Sequence, residues 1–164
     1  MTRRHLFALL SALGFAAKPA VAQTTAAPTG TATAITPLRL PDAEWKKRLS
    51  PAQYDVLRHE GTERAGTSPL NDEKRKGRFH CAGCDLPLFE STAKFESGTG
   101  WPSFFTYLPG AVVTKTDYKL ILPRTEYHCA RCEGHQGHVF GDGPAPTGKR
   151  YCNNGVALKF VVAA

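Results

Sequence analysis

Residues 148–162 read GKRYCNNGVALKFVV, and the second half of that stretch decides the fold. Val156, Leu158, Phe160 and Val162 alternate with Ala157, Lys159 and Val161, the period of a strand with one face in the core. The other apolar runs, AVVT, YKLIL and HVF, are equally short, and Gly and Pro punctuate the chain every few residues beyond Gly61. Short runs between turn residues predict a mainly β domain. Helices are expected only in front of it. Trp45 and Leu49 stand four apart, and SPAQYDVLRHEG supplies Ser50 as cap, Pro51 at the first helical position, Gln53 at the capping-box position and Gly61 as stop.

At 164 residues the chain has room for one domain with a real core. Its opening, MTRRHLFALLSALGFAAKPAVAQ, passes from a basic segment through an apolar run to AVA before Gln23, the layout of a secretory signal removed after Ala22. That run is too short to span a bilayer, so no stable membrane anchor is expected. Arg3 and Arg4, followed by His5, Leu6 and Phe7, with Lys18 beyond the apolar run, resemble a twin-arginine signal, which moves folded proteins; a general secretory signal is the alternative. The expected location is the periplasm. Residues 23–40, rich in Thr, Ala and Pro, cannot repay the entropy of ordering and read as a flexible linker, leaving 41–164 as the domain. The formal charge is +7, and loss of Arg3, Arg4 and Lys18 would leave 18 basic against 14 acidic residues. So small and dispersed an excess argues for a solvated surface and against nucleic acid as a partner.

Five cysteines carry the chemistry. CAGC places Cys81 and Cys84 two residues apart, CARC does the same for Cys129 and Cys132, and 44 residues separate the pairs. Two such knuckles complete a tetrahedral sulfur shell for one structural Zn²⁺, tying distant parts of a sheet together and making metal binding part of the folding free energy. Two disulfides are the alternative in an oxidising compartment, and a thioredoxin-like redox pair is a third reading that no βαβ setting accompanies. Cys152 is left over: a reactive thiol, an intermolecular link or a buried small hydrophobe. Stretches that can surround it are GHQGHVFGDGP with His135 and His138, SGTGWPSFF with Trp101, and RYCNN with Arg150 and Asn154. An unassisted thiol is only about 3 per cent ionised at pH 7, so a nucleophilic Cys152 needs cationic or hydrogen-bonding neighbours such as these.

The motifs CAGCDLPLF, SGTGWPSFF, RTEYHCARC and HQGHVFGDGPAPTGKRYCNN closely resemble those of the peptide-methionine (R)-S-oxide reductases, the B-type methionine sulfoxide reductases, from about Pro41 to Phe160. The resemblance implies a mainly β fold of two antiparallel sheets with short N-terminal helices, and zinc held by Cys81, Cys84, Cys129 and Cys132 away from the chemistry. It makes Cys152 the nucleophile, packs the sulfoxide methyl against Trp101, sets His135, His138 and Asn154 around the sulfoxide oxygen, and gives Asp142 and Arg150 the task of orienting that set. The implied substrates are oxidised proteins bearing methionine-R-sulfoxide. Many relatives recycle the sulfenic acid with a cysteine where this chain has Thr99, so an external thiol, such as a thioredoxin-like reductant, is expected to regenerate Cys152. Two further departures are Gln136, commonly Leu in the family and expected here to alter the pocket's polarity, and Gly155, commonly Ser. Alternatives from other classes are a zinc-knuckle binding module with an inert Cys152 and a thiol peroxidase.

Overall fold

A computed structural model describes residues 35–164; the signal sequence read at 1–22 and the first part of the linker lie outside the described residues. Two short helices come first, Asp42–Arg48 (α1) and Pro51–His59 (α2). Ser50 and Gln53 form a complete capping box at the start of α2, with Pro51 in its first turn. The helix ends one residue earlier than its glycine implies: Glu60 takes the left-handed conformation and the Gly61 N–H reaches the Asp55 carbonyl at 3.1 Å.

Nine strands follow: Gly77–Cys81 (β1), Pro87–Glu90 (β2), Lys94–Phe95 (β3), Ser103–Phe104 (β4), Val112–Asp117 (β5), Arg124–Cys129 (β6), His135–Phe140 (β7), Arg150–Asn153 (β8) and Leu158–Val162 (β9). They form two sheets, one of order β2-β1-β9 and one of order β3-β4-β8-β7-β6-β5, antiparallel throughout. Large side chains fill the space between them. Phe104 stacks on Phe89 at 4.1 Å and meets Phe79 edge-on at 4.9 Å, and Tyr127, fully buried, donates its hydroxyl to Asn153 at 2.7 Å. Trp45, Val56 and Leu57 bring the helices onto the same core. Leu38 and Leu40, at the end of the Thr- and Ala-rich segment, also pack on it, and the Leu38 N–H bonds the Arg131 carbonyl at 2.6 Å.

The alternation that starts at Val156 becomes a strand only at Leu158, because Gly155–Ala157 wind into a 3-10 turn. Leu158 and Phe160 face inward, with Phe160 packed on Phe79 at 4.9 Å, while Val162 is exposed. The apolar run at 118–122 forms no strand. It is the exposed connection between β5 and β6, with Tyr118, Leu120, Ile121 and Leu122 turned to solvent. Among the described residues no helix is long and apolar enough to cross a membrane.

Candidate active site and metal centre

β1 belongs to the small sheet and β6 to the large one, yet both end in a cysteine at the same place. Each knuckle folds by the same hydrogen bonds. Cys81 N–H bonds the Leu86 carbonyl at 2.8 Å and Asp85 N–H the Cys81 carbonyl at 2.9 Å; Cys129 N–H bonds the Gly134 carbonyl at 3.0 Å and Glu133 N–H the Cys129 carbonyl at 2.9 Å. Asp85 and Glu133, each directly after a second cysteine, take matching left-handed backbones at φ 67° and 58°. The four Sγ atoms converge within 4.8 Å of one another, with Cys81 to Cys132 at 3.6 Å and Cys84 to Cys129 at 3.4 Å. Sulfurs at about 2.3 Å from a tetrahedral ion lie about 3.8 Å apart, so this set fits a metal ion. All four are free thiols, and the nearest contacts run between knuckles rather than within them. The centre joins two sheets, where the spacing alone implied two parts of one.

Cys152 occupies β8, in the middle of the large sheet. Its Cα partners are Ser103 on β4 and His138 on β7, so His138 stands directly across from it on the same face. β4 begins two residues after Trp101, which brings the indole to that face, and Gly137 lets β7 approach: a Cβ there would lie 1.9 Å from the Cys152 carbonyl oxygen. Cys152, His138, Trp101, Asn154, Phe140 and Arg124 line a cavity of about 120 Å³. Ligand pockets generally hold about 300–1,000 Å³, so this one suits the end of a single side chain.

On a regular strand His135 and His138, three apart, would face opposite sides. The register of β6 against β7 runs from Tyr127 opposite Gly137 to His128 opposite His135, leaving Gln136 as the extra residue of a bulge. The bulge turns both imidazoles to one face, their centroids 5.5 Å apart. His135 nevertheless lines an adjoining groove with Glu126, Lys115 and His128 and is absent from the wall of the Cys152 cavity. Its Nδ1 meets Glu126 Oε1 at 2.7 Å, and burial lowers its pKa against the pull of that carboxylate. Gln136 faces away from the cavity whose polarity it was expected to alter. Fully buried, it directs Nε2 toward Cys81 Sγ at 3.5 Å in the sulfur centre. Its carbonyl oxygen accepts both the backbone N–H of Asn154 at 2.8 Å and the Asn154 side-chain amide at 3.0 Å.

His138 Nε2 lies 2.8 Å from Asp117 Oδ2, which Arg124 also contacts at 2.6 Å. The Lys119 backbone N–H, then His138 and Arg124, hold the Asp117 carboxyl well below the usual range, so it is an anion facing the imidazole. Arg150 grips Asp142 with two bonds of 2.8 Å and lies over the Phe140 ring at 4.3 Å. Burial raises the Cys152 thiol pKa; Arg150 and a hydrogen bond from Thr99 oppose that rise without reversing it. The resting group is the thiol, and Arg150 is the cation that favours its ionisation. Asp117, Arg124 and Thr62 are site residues that sequence reasoning missed; Asp117 and Arg124 bracket an apolar run, the one local sign they carry.

A half-buried thiol across from a carboxylate-held imidazole, beside an aromatic wall, is the arrangement of a cysteine-nucleophile site. Comparison with known proteins makes that class specific. Residues 49–162 match the SelR domain family, and the chain belongs to it, as its resemblance to the B-type methionine sulfoxide reductases implied. It is 53% identical over 120 residues to the peptide methionine sulfoxide reductase MsrB of Thiobacillus denitrificans and 52% over 120 residues to that of Agrobacterium fabrum, covering 91% and 89% of those proteins and 73% of this chain. It is also 54% identical over 121 residues to the chloroplastic peptide methionine sulfoxide reductase B1 of Arabidopsis thaliana, spanning 60% of that protein and 73% of this one.

Because Arg150 holds the Cys152 pKa down, Arg150→Met will move its ionisation to higher pH. Alkylation of Cys152 by iodoacetamide at pH 7 will slow severalfold, and its rise with pH will begin later.

Proposed function

We propose that this chain reduces methionine (R)-S-oxide in proteins to methionine, with Cys152 as the nucleophile. The observation that carries the reading is the pairing of Cys152 with His138 across two strands, inside a cavity walled by Trp101. A sulfoxide joins a polar S–O bond to an apolar methyl group, and needs a flat apolar wall on one side and a proton donor on the other. Trp101 supplies the wall. With its Nε2–H donated to the anionic Asp117, His138 offers Nδ1 to take the proton of the Cys152 thiol and pass it to the sulfoxide oxygen. Cys152 attacks the sulfur as thiolate, the oxygen is protonated and transferred, methionine leaves, and Cys152 ends as a sulfenic acid. A fixed wall and a fixed donor accept one sulfur configuration only, and by family that is R.

The sulfenic acid takes one external thiol to form a mixed disulfide and water, and a second thiol to release Cys152. Thr99, at hydrogen-bonding reach of Cys152, has no sulfur to offer, and the other four cysteines lie in the metal centre. A thioredoxin-type protein in the periplasm, reached by the twin-arginine route, is the reductant this scheme calls for. The metal is Zn²⁺, the ion that a closed four-thiolate shell favours. It would be held by Cys81, Cys84, Cys129 and Cys132 and would serve to pin the sheets. The solvent-facing side chains of Tyr118, Leu120, Ile121 and Leu122 support a polypeptide substrate, because Asp117 and Arg124, at the two ends of their loop, belong to the site.

Turnover of the separate R and S epimers of a blocked methionine sulfoxide, with dithiothreitol, tests the reaction. R-only activity, lost in Cys152→Ser, is expected; turnover of peroxide but neither epimer would replace this reading with a thiol peroxidase, and no turnover of either would leave a binding module. Elemental analysis is expected to find one zinc per chain, and removing it with a strong chelator will lower the thermal midpoint by more than about 10 °C, since binding is part of folding. Replacing Ile121 and Leu122 together by Ser will raise KM for an oxidised protein by about fivefold and leave KM for the blocked amino acid unchanged.

A further inference from the structure

We infer that Glu63, in the segment after α2, is the residue that positions both the Trp101 wall and the strand exit carrying Cys152 and Asn154. This rests on the reading of that cavity as the sulfoxide site.

One residue makes bonds to three segments. Its backbone N–H bonds Asn154 Oδ1 at 2.8 Å, and its carbonyl accepts the Trp101 indole N–H at 2.9 Å. Its carboxylate oxygen Oε2 accepts the backbone N–H groups of Gly155 at 2.6 Å and Val156 at 3.2 Å, directly after Asn154, and Oε1 lies 3.3 Å from the Thr67 hydroxyl. Among the described residues no Lys, Arg or His forms an ion pair with Glu63. The charge is therefore spent on backbone donors, where charge-assisted bonds are strongest.

The arrangement has a direction. The indole can present its flat side to the cavity only while its N–H is fixed, and the group that fixes it is a backbone carbonyl with no rigidity of its own. Glu63 sits in a connection outside any helix or strand, and its side chain ties that connection to the residues after Asn154. The same connection is tied near Trp101 from the other side: Gly66 N–H and Asn71 Nδ2 bond the Gly100 carbonyl at 2.7 and 3.1 Å. Gly155 belongs to this design. A Cβ there would lie 1.8 Å from Ser68 Oγ, so the glycine that stands where relatives commonly have serine admits the Glu63–Ser68 segment against the exit of β8.

In this account Glu63 touches no substrate and acts through Trp101 and Asn154. Loss of its carboxylate will loosen the wall more than it alters the thiol, which is a KM effect before it is a kcat effect. The experiment compares Glu63→Ala, Glu63→Gln and wild type by acrylamide quenching of tryptophan emission without substrate, and by steady-state kinetics on the R epimer. Of the two tryptophans Trp45 is buried at 2% exposure, so quenching reports Trp101. The expected result for Glu63→Ala is a Trp101 more open to quencher and KM raised by about tenfold with kcat within about twofold, at unchanged zinc content. Glu63→Gln, which keeps an acceptor oxygen for the two N–H groups, will restore most of both. Unchanged quenching and KM in Glu63→Ala would overturn the inference, as would a Gln variant indistinguishable from Ala. If Glu63→Ala fails to fold, Glu63→Asp takes its place, because the shorter carboxylate falls short of the Gly155 and Val156 N–H groups; a folded Asp variant with neither a quenching nor a KM change would overturn the inference. Wild-type protein without turnover would remove the sulfoxide reading, while the quenching comparison would still decide what Glu63 holds.

Discussion

Two strands of different sheets, β1 and β6, must end at one point, and the four sulfurs gathered there are the constraint on which the other contacts depend. The core between the sheets combines large rings and aliphatic side chains from both helices and most strands, and the sulfurs close it at one end. The equal hydrogen-bond patterns of the two knuckles show that each is held by its own backbone, and the two together place four sulfurs where a metal ion fits.

The pocket reflects a conflict between packing and reactivity. Placing Cys152 in a central strand fixes its direction to within the tolerance of a sheet, but it also removes water, and the thiol rises in pKa for that reason. Arg150 cannot cancel the rise because its own charge is divided with Asp142. An unoccupied site therefore keeps its sulfur protonated and less open to stray oxidants, since the thiolate is the form that oxidises.

What could be read from the chain follows from how local each signal is. Both knuckles, the capping box of α2 and the alternation around Leu158 and Phe160 are written within a few residues, and each was legible. The grouping of Cys152, Trp101, His138 and Asn154 was legible only through motif resemblance, since no spacing rule brings those segments together. Asp117, Arg124 and Glu63 carried no such mark. Asp117 meets His138 across two strands, Glu63 meets Trp101 and residues 154–156 far along the chain, and a carboxylate that bonds backbone N–H groups looks in sequence like any surface Glu. Gln136 misled for a different reason: alternation cannot foresee the bulge that makes it the unpaired residue and turns its side chain toward Cys81.

The pairing of β1 with β9 sets the order in which the molecule can be made. β1 is among the first sheet strands to leave the ribosome and β9 is the last, with Gly77 opposite Val162 and Cys81 opposite Leu158. Until β9 emerges, one side of β1 is an open edge, and the small sheet cannot close however long synthesis pauses. The small sheet therefore closes only when β9 is available, and a chain cut short before β9 leaves that side of β1 unpaired.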